Sequence, residues 1–149
     1  MNKTTIAFLI IFSFSFRVNS EALPSFTLPI YSKKETFDLQ VESKKYNKVL
    51  INFWASWCGA CIRELQELED LKKKYSKKGV LFIAINAGEK KKKIKRFIRK
   101  YKFSYLILED ENRETSKMLK VTELPRTILI DSKMNIIFSA GHPPTKIEP

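Results

Sequence analysis

Cys58 and Cys61 are the only cysteines in the 149-residue chain, and they stand two residues apart. A pair at this spacing can close into a disulfide and reopen, so two electrons can be stored and passed on without a cofactor. The nucleophile in such chemistry is a thiolate, and an ordinary thiol is mostly protonated near neutral pH. The flanking residues address that difficulty. Val49 to Ala55 is an apolar run of strand character, and it stops just short of the pair. After the pair, Ile62, Leu65, Leu68, Leu71 and Tyr75 recur at helical spacing among charged residues. The cysteines therefore sit where a strand hands over to a helix N-terminus, whose free N–H groups and positive dipole end stabilise an anion. Cys58, at the junction, is expected to be solvent-exposed and reactive. Cys61 lies one turn on, on the side that turns inward with Leu65 and Leu68, within reach of a disulfide held on Cys58.

Other uses of a cysteine pair fit poorly. A structural zinc site needs about four ligands, and the chain adds one histidine, His142, far downstream. Neither a metal nor a cofactor is expected. A structural staple around so short a loop would remove little entropy from the unfolded chain. Redox chemistry is left. The run Phe53-Trp54-Ala55-Ser56-Trp57-Cys58-Gly59-Ala60-Cys61 resembles the thioredoxin superfamily, in particular its exported TlpA/ResA-like branch.

The resemblance implies a thioredoxin-like three-layer α/β/α fold with a central mixed sheet, an N-terminal β-hairpin and an extra helix–strand insert. The elements needed can be read along the chain. Pro24 to Pro29 and Thr36 to Leu39 suggest the hairpin, and Gly79 suits the C-cap of the cysteine helix. Val80 to Ile85 is a continuous apolar run, as a strand covered on both faces would be. Lys90 to Lys102 places Ile94, Phe97, Ile98 and Tyr101 on one helical face. Tyr105 to Leu108 reads as a short strand, and together these form the insert. Asp110 to Val121 reads as a short helix with Met118 and Leu119 inward. Arg126 to Asp131 and Asn135 to Ser139 are two strands joined by a turn. The alternation itself argues for an α/β fold.

Further site residues follow from the same resemblance. Pro125 precedes the Arg126 strand, and in the superfamily the proline here is cis and beside the cysteines. The Leu124-Pro125 bond would then leave the backbone of Leu124 free to pair with a substrate strand. Glu64 shares a helix flank with Cys61, and ResA-like proteins have a glutamate associated with the active site at this place. At the edge of an apolar pocket its pKa would rise and it could relay a proton to Cys61; the alternative is an exposed helix glutamate. Trp57 would shield one side of the pair and offer an apolar docking surface, or simply pack. Thioredoxin's buried acid on the preceding strand is replaced by Asn52, and its proline between the cysteines by Ala60. His142 reads as a loop residue. The tail from Gly141 to Pro149 has two prolines opposing a helix, so the superfamily's final helix is expected to be missing and one sheet face bare.

The net charge of +12 brings partners into question. Lysine supplies 22 of the 28 basic residues, whereas arginine is preferred for bidentate phosphate contacts. Phe97 and Tyr101 fall on the inward face of the most basic helix and would not stack on bases. Nucleic acid is therefore not an expected partner. A solvated basic surface, with weak contact to an anionic membrane, is the reading adopted.

Met1 to Ser20 has the pattern of a secretory signal: Lys3, an apolar stretch from Ile6 to Phe16, then Val18-Asn19-Ser20. An uncleaved anchor is the alternative, although the stretch is shorter than the roughly 20 residues that span a bilayer. The domain follows over 21–149. Export implies a periplasmic or extracytoplasmic location, where another protein must hold the pair reduced or oxidised; a membrane-bound electron donor is expected. Taken together, the chain reads as a thiol–disulfide oxidoreductase. Reduction is favoured because Gly59-Ala60 lacks the histidine found in strongly oxidising relatives. Its substrates would be disulfide-containing extracytoplasmic proteins, apocytochrome c among them. A peroxiredoxin-like peroxidase is the enzymatic rival, but its Pro-x-x-x-Thr-x-x-Cys context is absent. The non-enzymatic rival is a redox-inactive adaptor or membrane-surface module. N-terminal sequencing of protein from its native cell should find a chain beginning close to Glu21; an intact Met1 would favour the anchor.

Overall fold

The computed structural model describes residues 21–148 apart from Phe103. The signal at Met1 to Ser20 lies outside the described residues. The architecture is built on strand β3, Lys48–Trp54, in which every residue after Lys48 is buried. Its β-branched and aromatic side chains suit a strand covered on both faces. Four strands assemble around it in the order β5-β4-β3-β6-β7. β4 (Val80–Ala87) runs parallel to β3, and β5 (Leu106–Asp110) runs parallel to β4. β6 (Arg126–Asp131) is antiparallel to β3, and β7 (Ile136–Ala140) is antiparallel to β6. The sheet is mixed, as expected. Its register places Asn52 opposite Thr127, and the Asn52 amide donates to the Thr127 hydroxyl at 3.1 Å.

One face of the sheet packs under helices. α2 (Gly59–Arg63) and α3 (Leu65–Tyr75) follow β3, and α4 (Lys91–Lys100) follows β4. Leu68, Leu71 and Tyr75 of α3 join Ile94 and Phe97 of α4 over Leu50, Trp54, Phe82 and Leu129. The helix read as continuous through Tyr75 is in fact two, because the backbone relaxes to ψ −11° at Glu64. Gly79 ends this region at φ +80°, a conformation a side chain would strain and where a Cβ would stand 2.6 Å from Asn47 Nδ2.

The other face is covered by the N-terminal segment. β1 (Thr27–Pro29) and β2 (Thr36–Asp38) form the expected hairpin and lead into a short helix, α1 (Leu39–Glu42), capped by Asp38. Leu23, Phe26, Leu28, Phe37 and Leu39 pack on Val49, Ile51, Phe53, Ile83 and Ile85. The Tyr31 N–H donates to the Ile107 carbonyl at 2.9 Å, and Ile30 bridges Leu108. The hairpin thus occupies the free edge of β5, an edge that would otherwise invite another chain to pair.

Two expectations need correction. The helix after β5 is shorter than read, α5 spanning Glu114–Met118, and Met118 is 45% exposed and does not point inward. Asp110 is the reason. Its buried carboxylate accepts the Thr115 and Ser116 N–H groups and the Ser116 hydroxyl at 2.6–3.1 Å. That grip turns Thr115 and Ser116 to the interior and Met118 out. The second correction concerns the bare face. Residues 141–148 form no helix, but Pro143, Pro144 and Ile147 are buried. Ile147 joins the core beneath α3, where its backbone hydrogen-bonds the Tyr75 hydroxyl. The helix is absent there as expected, but an irregular tail covers the face that was expected to be bare. No helix among the described residues is long and apolar enough to cross a membrane. Ile147→Ala should lower the unfolding free energy by about 2 kcal/mol or more in chemical denaturation; a loss below about 0.5 kcal/mol, the size of a neutral surface change, would mean the tail does not seal the core.

Candidate active site

β3 ends at Trp54, and the chain turns through Ala55, Ser56 and Trp57 into Cys58, the N-cap of α2. Cys58 and Cys61 are joined as a disulfide, with Cα atoms 5.3 Å apart. Cys58 Sγ also accepts the backbone N–H of Cys61 at 3.1 Å. That N–H is one of the donors a helix leaves unused in its first turn. The expected placement of a sulfur at a helix N-terminus is therefore realised in an explicit bond. The expected difference in exposure is not. Cys58 is 5% exposed against 4% for Cys61, because its side chain curls back over the helix end to make that bond.

Glu64 follows Cys61 by one helical turn at the break between α2 and α3. The residue is partly exposed, yet its Oε2 is enclosed and finds no hydrogen-bond partner among the described residues. Burial, reinforced by Glu67, pushes its carboxyl up to about 7, and the charges of His142 and Arg63 only partly oppose this. The plain surface reading of Glu64 does not describe such a group. His142 is close enough for its charge to act on Glu64. It sits in the loop after β7, edge-on to Phe138 with ring centroids 5.8 Å apart. Sequence spacing could not bring it there; the return of β7 beside β6 does.

The peptide bond between Leu124 and Pro125 is cis, as the resemblance implied. Pro125 is buried, and its carbonyl lies 3.6 Å from where a Cβ on Gly141 would stand. Leu124 is partly buried against both halves of the core. Trp57 is 66% exposed, so it neither packs in the core nor is held by it. Its indole is available as an apolar surface next to Cys58.

One residue of the site escaped the sequence reading. Glu89, just after β4, is 3% exposed and takes the Ser56 N–H and Ser56 hydroxyl at 2.6 Å each, with the Asn86 amide at 3.0 Å. Burial would raise its pKa, but these hydrogen bonds and the nearby Lys93 outweigh it and hold the carboxyl below the usual range. Gly88 makes the turn possible: φ is +90°, and a Cβ would meet Arg113 Cγ at 2.9 Å. Glu89 thus pins the loop two residues before Cys58. The available signal was a lone acid directly after a buried strand, at the strand end where α/β sheets form their crevices.

Glu64 has a pH signature. Below about pH 4.5 its carboxyl is protonated whether the chain is folded or not. Between about 4.5 and 7 the folded protein retains a proton the unfolded chain has released, so stability falls as pH rises through this window. Glu64→Gln removes that loss. It should match the parent protein in denaturation at pH 4 and exceed it by about 1 kcal/mol at pH 8, a figure reduced for solvent screening. Equal stabilities at both pH values would place the carboxyl in open solvent.

Residues 17–148 match the Redoxin family. The thiol-disulfide oxidoreductase ResA of Bacillus thuringiensis subsp. konkukian is 32% identical over 99 residues, 66% of this chain and 57% of that protein. ResA of Bacillus subtilis is 27% identical over 114 residues, 76% of this chain and 62% of that protein. The chain thus spans somewhat over half the length of these relatives. Among solved structures, a thiol-disulfide oxidoreductase from Bacteroides fragilis superposes with a TM-score of 0.72 at 28% identity, over 80% of this chain and 89% of that one. The thioredoxin domain of a Bacteroides vulgatus protein gives 0.72 at 20% identity, over 80% and 86%, which speaks to the fold alone. With a disulfide capping the helix that leaves the central strand, and with a match running over nearly every described residue, the chain belongs to the Redoxin family and resembles its ResA-like members.

Proposed function

We propose that this chain is a thiol–disulfide oxidoreductase that reduces disulfides in extracytoplasmic proteins. The observation that carries the reading is the Cys58–Cys61 disulfide with Cys58 Sγ on the Cys61 N–H, at the start of α2. The same donor that holds the sulfur in the disulfide would hold a Cys58 thiolate when the bond is open. The names of the ResA relatives support the reading.

In the reduced protein, Cys58 thiolate attacks one sulfur of a substrate disulfide. A Cys58–substrate bond forms, the substrate S–S bond breaks, and the departing substrate thiolate takes a proton. Cys61 then loses its proton, with Glu64 as the acceptor, since a carboxyl near 7 can take up or release one close to neutrality. The Cys61 thiolate attacks Cys58 Sγ, the mixed disulfide breaks, and the second substrate sulfur leaves as a thiol. Two electrons have passed to the substrate, and the protein is left in its disulfide form. A membrane-bound dithiol donor would restore it. Trp57 and the backbone around Leu124 and Pro125 would seat the substrate chain. Apocytochrome c is the candidate substrate, the N-terminal signal the candidate route of export, and weak attraction to anionic lipid is compatible with the charge.

Both cysteines are equally buried in the disulfide form, so the order of attack rests on the helix N-terminus and not on exposure. Cys61→Ser should accumulate covalent adducts with substrate proteins that a reductant removes, whereas Cys58→Ser should form none. Adducts of equal abundance in the two variants, seen on a non-reducing gel, would overturn the assignment.

A further inference from the structure

Seven of the ten residues of α4 are lysine or arginine, and none is acidic. Two aspects of this arrangement oppose the helix's own stability. Its first turn is all cationic side chains at the end where the dipole favours anions. Like charges also stand four apart, as in Lys92 and Arg96 or Arg96 and Lys100, and repel. Compensation within the protein is slight. Among the described residues α4 has a single ion pair, Lys91 with Glu109 at 3.5 Å. Lys93 acts on Glu89 without pairing to it, and Lys100 lies over the Tyr101 ring at 5.1 Å. Charge kept at a cost to the helix calls for an anionic partner outside it.

The place of this charge relative to the disulfide indicates which partner. Lys93, Arg96 and Lys100 line an open groove of about 300 Å³ together with Ser56, Ile62 and the Phe97–Tyr101 pair. Ser56 stands two residues before Cys58, and Ile62 directly follows Cys61. One wall of the groove is therefore made by residues that flank the disulfide in the chain. Phe97 and Tyr101 contribute a tilted aromatic pair with ring centroids 4.7 Å apart. The wall at Ser56 is fixed in place by Glu89.

We propose that this groove docks an acidic segment of the substrate protein, next to the cysteine that Cys58 attacks. Carboxylates of the segment meet Lys93, Arg96 and Lys100, and an apolar side chain rests on Ile62 and Tyr101. Opposite charge steers the encounter and sets the register in which the substrate sulfur arrives. A lipid surface is the less suitable occupant. It would touch the outermost row of cations but has no use for a groove walled by the residues that flank a disulfide. The inference rests on the exchange reaction proposed above and adds the chemistry of its substrate.

The test uses the full chain in reduced form and three short disulfide peptides with acidic, neutral or lysine flanks. At low salt the acidic peptide should be reduced about tenfold faster than the lysine peptide, and the preference should collapse near 0.5 M salt, where screening is strong. The double variant Arg96→Glu/Lys100→Glu should lose or invert the preference while reducing the neutral peptide at the parent rate. No preference in the parent, or one that survives in the variant, overturns the proposal. If no peptide is reduced at all, the oxidoreductase reading fails, and the groove is then decided by binding alone. A cysteine-free acidic peptide, followed by Trp57 fluorescence, should bind the parent about tenfold more tightly than the variant; equal binding overturns it. Loss of sedimentation with phosphatidylglycerol vesicles in the variant, with peptide preference intact, would make the face a lipid contact and also overturn it.

Discussion

Burial of β3 on both faces is the constraint from which the rest of the structure follows. A strand with no wet side needs a cover above and below, and here the cysteine helix and α4 provide one and the N-terminal hairpin the other. Because β3 is central and buried, its last residue, Trp54, is held firmly under α4, with its ring tilted against Phe97 at 4.6 Å between centroids. The turn beyond it inherits that rigidity. A disulfide placed on that turn is positioned by the buried core, not by a loop of its own.

Two carboxylates near the disulfide show how differently one side chain can be set by its surroundings. Glu64 has an enclosed oxygen with no donor among the described residues, so the neutral acid is favoured and its pKa rises. Glu89 is more deeply buried but receives three hydrogen bonds, so the anion is favoured and its pKa falls. Burial alone predicts neither result. One group is left free to exchange a proton near neutrality, and the other is a fixed anion that organises the backbone leading to Cys58. In the proposed reaction these are distinct tasks, and neither residue could take over the other's without losing its donors or gaining them.

The additions to the sheet serve the site as well as the core. The α4–β5 unit supplies an edge strand, which the hairpin then closes off, and it brings a cationic helix alongside Ser56. The tail after β7 packs Ile147 beneath α3 and carries His142 to the neighbourhood of Glu64. Each of these segments lies outside the β3–β4–β6 centre, and each sets the electrostatics around the cysteines.

Much of this was legible in the chain itself. The apolar run ending at Cys58, the helical periodicity after Cys61 and the alternation of strands and helices are local patterns, and local patterns reflect dihedral preferences and the facing of neighbouring side chains. They were enough for the strand–helix junction, for the sheet and for the hairpin, and the family resemblance implied the cis bond at Pro125 and drew attention to Glu64. The sequence did not show that Glu89 grips Ser56, that His142 reaches Glu64, or that Cys58 is as buried as Cys61. Nor did it show that Asp110 turns Met118 outward, or that an irregular tail covers the sheet in place of a helix. All of these depend on which distant groups meet. Hydrogen-bond satisfaction and desolvation are properties of a closed three-dimensional environment, and residues 33 positions apart, as Ser56 and Glu89 are, share one only after the sheet has formed.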